Sequence, residues 1–192
     1  MSADYAEMIA EEFDGPVDVI GTSTGGSLAL QFGADHGELA RKLVIHLSAY
    51  KLGPVGKEVQ LRIRDLVRRG QWRKANATLM EFVLKPSWCR DALGAAASVL
   101  MTMGAPDDPS DLIVTIGAED AFDFHDRLGE IAVPTLVIAG AADPGYTEEL
   151  FRETARGIPG AHLAVYPGMG HPARGARFGR DLRAFLLGTE RA

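Results

Sequence analysis

Apolar residues recur along this chain with two different periods, and the change between them marks its elements. Tyr5, Ile9 and Phe13 fall at helical spacing behind Ser2, a candidate N-cap, so residues 3–13 predict a helix that Asp14-Gly15-Pro16 ends. Val17-Asp18-Val19-Ile20-Gly21 reads as a buried strand, and Gly26 to about His36 as a helix. Lys42 to Leu47 is a near-continuous apolar run, as expected of a parallel strand buried on both faces. From Val55 to about Met103 there is no strand signal. Val55, Val59, Ile63 and Leu66/Val67 form one helical stripe, closed by Gly70. Trp72, Ala75, Leu79 and Phe82/Val83 form a second, stopped by Lys85-Pro86. Trp88 to Met103 makes a third helix rich in small residues, followed by a loop over Gly104 to Pro109. Ser110 to about Arg127 predicts another helix. Pro134 introduces the strand Thr135–Ala139; then come a short helix over Glu148–Arg156, a strand over His162–Tyr166 and a closing helix over Ala173–Leu187.

Helix and strand thus alternate at both ends and give way to helices alone in the middle. The pattern predicts the α/β class, a mostly parallel sheet with helices on both faces. Residues 1–51 and 111–192 form that core, and residues 52–110 form an all-helical insertion, too long to be an ordinary connection.

Composition narrows the function classes. The chain has 192 residues, enough for one domain with a real core. It is 46% hydrophobic and 24% charged, as soluble globular domains are. A net charge of −6 argues against non-specific nucleic-acid binding. No run of about 18 apolar residues is present, so no membrane span is expected. The start, Met1-Ser2-Ala3-Asp4-Tyr5, is acidic and unlike a signal peptide. Cys89 is the sole cysteine, which excludes an internal disulfide and fits a reducing, cytoplasmic location. No His/Cys cluster has metal-ligand spacing, and neither metal nor cofactor is expected.

The chemistry concentrates at three strand ends. Ser23 lies in Gly21-Thr22-Ser23-Thr24-Gly25, a G-x-S-x-G pentapeptide between a strand and a helix. A serine on such a sharp turn is an exposed nucleophile candidate. Gly21 and Gly25 lack Cβ atoms and can pass close to neighbouring backbone, and Gly26 adds a third small residue where helix meets sheet. The Thr24 N–H, at the helix N-terminus, is a candidate oxyanion donor. Asp143 follows the Thr135–Ala139 strand directly, and His171 follows the His162–Tyr166 strand. Ligands of parallel α/β sheets bind outside the carboxyl ends of strands, so these residues could meet. Each has a plainer reading: a small-residue loop for the pentapeptide, a turn or N-cap role for Asp143, an exposed loop position for His171. Among the other histidines, His46 lies within the second strand, His36 and His162 at element ends and His125 in a helix; Asp120, the main competing acid, precedes a strand rather than following one.

Gly21-Thr22-Ser23-Thr24-Gly25-Gly26, Pro134 to Asp143 and Gly168-Met169-Gly170-His171 together resemble the α/β-hydrolase fold superfamily. The resemblance implies that Ser23 is the nucleophile, His171 the general base and Asp143 its orienter. It likewise implies that the insertion near Leu52 to Ser110 is a helical cap over the pocket. The implied activity is hydrolysis of a small carboxylic ester or lactone, with a small-molecule, ester-like substrate as the only required partner. Non-ester chemistry on the same fold and a non-catalytic binding module are the alternatives. The resemblance covers only the C-terminal part of the family's fold, because one helix alone precedes the elbow strand. Two expectations follow. The exposed edge of Val17–Gly21 should be covered by the first helix or paired in a homodimer. Activity should be weakened by the lack of a second oxyanion donor, unless Thr22, Ser48 or another chain supplies one.

Overall fold

The computed structural model describes residues 1–84, 90–171 and 175–189, with only the backbone for residues 90–93. Lys85-Pro86, Trp88 and Cys89, which the sequence reading uses, lie outside the described residues, as does Ala173.

Four strands form one sheet in the order β1-β2-β3-β4, every neighbouring pair parallel. They are β1 (Val17–Thr22), β2 (Ala40–His46), β3 (Thr135–Gly140) and β4 (His162–Tyr166). Each begins or ends within two residues of the apolar run that predicts it. The register runs across the sheet as Thr22 beside His46, His46 beside Ile138 and Ile138 beside Ala164. The carboxyl ends are therefore nearly flush, and the loops that follow β1, β3 and β4 open onto one rim.

The period-two alternation of β2 divides the core. Leu43 and Ile45 face α2 (Thr24–Asp35) and α7 (Glu148–Gly157), packing with Leu30, Phe32, Val137 and Phe151. Val44 and Leu47 belong to the opposite layer, with Leu136, Ile138, Tyr166 and Phe185 of α8 (Ala176–Leu187). Burial on both faces explains why β2 and β3 read as continuous apolar runs.

Between β2 and β3 stand α3 (Pro54–Arg68), α4 (Trp72–Val83), α5 (Arg90–Met103) and α6 (Ser110–Ala121). Ile63 and Val67 of α3, Ala75 of α4 and Ile116 of α6 form a separate apolar cluster. Hence α6 packs with the helical layer, although the sequence pattern groups it with the sheet. Its predicted continuation to Arg127 also fails. Phe122 is extended, Lys51 and Asp123 form an antiparallel bridge, and the Phe124 N–H donates to the Tyr50 carbonyl at 2.8 Å. Those long-range bonds, with Phe124 buried, outweigh the helical period, and a 3₁₀ turn over His125–Glu130 follows.

The helix α1 (Ser2–Glu12) buries Ala6 and Ile9 against the α2 layer. It leaves a groove along β1 open, lined by Tyr5, Met8, Phe13, Val19 and Ile20, and Ile20 is 47% exposed. Ala6 and Ile9 seat the helix on the α2 layer, while Tyr5, Met8 and Phe13 stay exposed beside the groove.

Candidate active site

The chain leaves β1 at Thr22 and enters α2 at Thr24, so the whole reversal falls on Ser23. Its backbone sits at φ 54°, ψ −124°. That region costs a non-glycine residue about 1–3 kcal/mol, which its surroundings must supply. They do so with hydrogen bonds: the Ser23 N–H donates to the His46 carbonyl at 2.9 Å, and the Ser23 carbonyl accepts from the Gly26 N–H at 2.7 Å. Gly21 is required by close approach, because a Cβ there would overlap the Gly25 carbonyl and the Ala29 side chain. Gly26 lies as tightly against Ser48. Gly25 is different: a Cβ there meets nothing within 4 Å. Its expected close approach is made by its carbonyl, not by the space beside its Cα.

The structure brings the three sequence candidates into one hydrogen-bonded line. Ser23 Oγ is 3.0 Å from His171 Nε2, and His171 Nδ1 is 2.9 Å from Asp143 Oδ2. The Asp143 side chain is wholly buried. Its other oxygen, Oδ1, accepts the N–H groups of Gly145 at 2.8 Å and Tyr146 at 3.1 Å. The turn role and the partner role are therefore both filled, one by each oxygen. An ionised carboxylate can only accept, so Nδ1 carries the proton and Nε2 is left free to accept from the serine hydroxyl.

Two aromatic rings confine the imidazole. Tyr146 lies nearly parallel to it, with centroids 6.2 Å apart and planes 14° apart, and Phe82 of α4 approaches at 5.9 Å. The backbones of the Asp143 and His171 loops are stitched together: the Ala142 N–H donates to the Met169 carbonyl at 2.8 Å, and the Ala141 N–H to the Tyr166 carbonyl at 3.1 Å.

The other candidates lie elsewhere. Asp120 faces Lys57, 3.8 Å away and partly exposed. His46 is beside Thr22, with Nδ1 3.3 Å from the hydroxyl, and stacks on Phe178. Thr22 and Ser48, weighed as further oxyanion donors, do not line the cavity over Ser23, and Ser48 is fully buried. The Thr24 N–H follows Ser23 directly in the chain. It lies in the first turn of α2, where amides have no intrahelical acceptor.

A cavity of about 390 Å³ opens over Ser23 and His171, beneath the helical layer. Its walls are mainly apolar, with Ile63, Trp72, Leu79, Phe82 and Met101 among them. Leu100 and Met103 of α5 are exposed. Arg62, Arg64, Arg68, Arg69 and Arg73 do not line the cavity.

One group is absent from the sequence reading. Glu119 of α6 is buried and lines the cavity. Its carboxylate accepts from Thr24 Oγ1, Gln60 Nε2 and the Tyr146 hydroxyl, each at 2.8 Å. Burial, then the Glu119 charge, push the Tyr146 phenol far above its ordinary range, so it stays protonated and donates. A signal existed: Leu112, Ile116 and Glu119 share one helical face.

Comparison with known proteins gives three findings. A family model described as "Alpha/beta hydrolase family" matches residues 2–180. A pimeloyl-[acyl-carrier protein] methyl ester esterase of Neisseria meningitidis is 25% identical over 170 residues, a match that covers 86% of this chain and 66% of that one. Two solved structures superpose with a TM-score of 0.81 at 20% identity. One is a candidate non-heme bromoperoxidase of Mycobacterium tuberculosis, matched over 100% of this chain and 74% of that one. The other is an enol-lactonase of Burkholderia xenovorans, matched over 97% and 71%. The present chain thus spans just under two thirds of the esterase's length and under three quarters of either structure's.

Proposed function

The chain belongs to the alpha/beta hydrolase family, and from that premise we propose that it hydrolyses a small carboxylic ester or lactone through an acyl-enzyme on Ser23. The observation that carries this reading is the unbroken line from Ser23 Oγ to His171 Nε2 and from His171 Nδ1 to Asp143, at 3.0 and 2.9 Å. Ser23 Oγ attacks the substrate carbonyl while its proton passes to His171 Nε2. Asp143 keeps the ring in the accepting tautomer and stabilises the imidazolium that forms. Negative charge on the carbonyl oxygen develops beside the Thr24 N–H. His171 then returns the proton to the leaving alkoxide. In the second half-reaction it takes a proton from water, which attacks the acyl carbon, and passes that proton to Ser23 Oγ as the acyl–oxygen bond breaks and the acid leaves. The helical layer over residues 52–110 acts as a cap in this reading, since its residues form most of the cavity wall. An esterase and a lactonase among the similar proteins are in keeping with it.

Short p-nitrophenyl esters test this directly. The acetate and butyrate should be turned over with a burst of nitrophenolate equal to the enzyme present, and a fluorophosphonate should modify the peptide that contains Ser23. Failure of both turnover and labelling overturns the reading.

We also propose that a second copy pairs along the β1 edge, where the apolar side chains of Tyr5, Met8, Phe13 and Ile20 stand exposed. Light scattering should give twice the chain mass. A monomer at micromolar concentration counts against the pairing.

A further inference from the structure

Glu119 is a carboxylate in a place where the ester-hydrolase reading needs none. Its residue is only 5% exposed, yet it lines the cavity that holds Ser23 and His171. Each of its three partners is a donor. Thr24 Oγ1 and Gln60 Nε2 point to Oε2, and the Tyr146 hydroxyl points to Oε1. As a carboxylate, Glu119 accepts from all three. The N-terminus of α2 begins at Thr24, so the positive end of the helix dipole attracts the same carboxylate.

Among the described residues these partners solvate the charge without cancelling it, because none of them is a cation. The nearby lysine is engaged elsewhere: Lys57 donates to the Asp120 carbonyl at 2.6 Å and faces the Asp120 carboxylate. The arginines of α3 and α4 stay outside the cavity. Among the described residues the lining is otherwise mainly apolar and holds no lysine or arginine, so little there screens a charge.

Resting on the ester-hydrolase reading for its setting, we propose that Glu119 is the specificity-determining residue of the cavity: its fixed negative charge admits uncharged acyl groups and excludes those that carry a carboxylate. The substrate class narrows accordingly. A neutral ester or lactone with an aliphatic or aryl acyl group meets apolar walls and no opposing charge. A hemiester of a dicarboxylic acid brings a second negative charge into a poorly screened chamber. The acid released by hydrolysis is itself an anion beside Glu119, so the same charge favours its departure.

A binding experiment tests the charge without relying on turnover. Trp72 lines the cavity, and its fluorescence reports occupancy. Titration with 4-phenylbutanamide and with 4-phenylbutanoate, at a pH of about 8 where the acid is fully ionised, compares ligands of nearly one shape. The wild-type protein should bind the amide at least tenfold more tightly. Glu119→Gln, which removes the charge, should bring the two within threefold, and Glu119→Asp, which keeps it, should retain the preference. Equal affinities in the wild-type protein overturn the proposal, and so does an unchanged ratio in Glu119→Gln. The wild-type ratio decides even where the Gln variant does not fold. A parallel kinetic arm sets p-nitrophenyl butyrate against mono-p-nitrophenyl glutarate, and kcat/KM should favour the butyrate by a similar factor. Absence of turnover and labelling with the binding ratio intact would sink the ester-hydrolase reading and leave the selectivity of the cavity standing.

Discussion

Ser23→Ala should lower kcat on p-nitrophenyl butyrate by about 10⁴-fold or more and abolish fluorophosphonate labelling. The size follows from what is removed. In the proposed mechanism Oγ is the atom that bonds to the carbonyl carbon, and it is the hydroxyl that His171 Nε2, 3.0 Å away, would deprotonate. The cavity and the Thr24 N–H stay, so a small residual rate over water is expected rather than zero. Folding should be nearly indifferent. Alanine keeps the Cβ and therefore the same cost of φ 54°, while the backbone bonds to His46 and Gly26 do not involve the side chain. Unfolding free energy should change by less than about 1 kcal/mol. The double variant Ser23→Ala/His171→Ala should be no slower than Ser23→Ala alone, because the two groups act as one unit. Full activity in Ser23→Ala, or labelling that survives it, would move the nucleophile elsewhere.

The strands and the hydrogen-bonded line were legible in the sequence for the same reason. A parallel sheet buries both faces of its strands, so β2 and β3 announce themselves as apolar runs, and whatever follows a run must lie on the rim. Ser23, Asp143 and His171 follow runs, and the flush register of the four strands brings them together. Glu119 gives no such cue. It lies in a helix of the layer above, and only the packing of α3 and α6 onto the rim carries it to Thr24 and Tyr146. The end of α6 at Ala121 was hidden likewise, since the bonds that stop it come from Tyr50 and Lys51, far away in sequence. Tyr146 falls between these cases. It is three residues from Asp143, but only the fold reveals that its ring lies parallel to His171. Local pattern thus locates what each strand delivers to the rim, and long-range packing decides what the cover adds to it.

The tightest joint on that rim gives the second large effect. Gly140 ends β3, and a Cβ added there would stand 2.5 Å from the carbonyl oxygens of Gly170 and Met169. Both are backbone atoms of the loop that carries His171, so no side chain can rotate away to make room. That loop is also tied to the Asp143 loop through Ala141 and Ala142. Gly140→Ala must therefore drive the two loops apart and lengthen the path from Asp143 through His171 to Ser23. Overpacking of this kind costs about 1–3 kcal/mol in stability, and misplacement of reacting groups by about 1 Å costs about 10²-fold in rate. The variant should lose roughly 10²-fold in kcat, and KM should change little because the cavity walls belong mostly to α3, α4 and α6. Gly179→Ala is the matched control. It adds the same methyl group inside α8, where a Cβ meets nothing within 4 Å, and should raise stability by about 0.5–1 kcal/mol without touching kcat. One substitution type then gives opposite signs at two sites, decided by whether the new atom faces backbone or open space. A Gly140→Ala protein that loses stability but keeps its kcat would show that the rate does not depend on the spacing of the two loops, and would weigh against the assigned roles of Asp143 and His171.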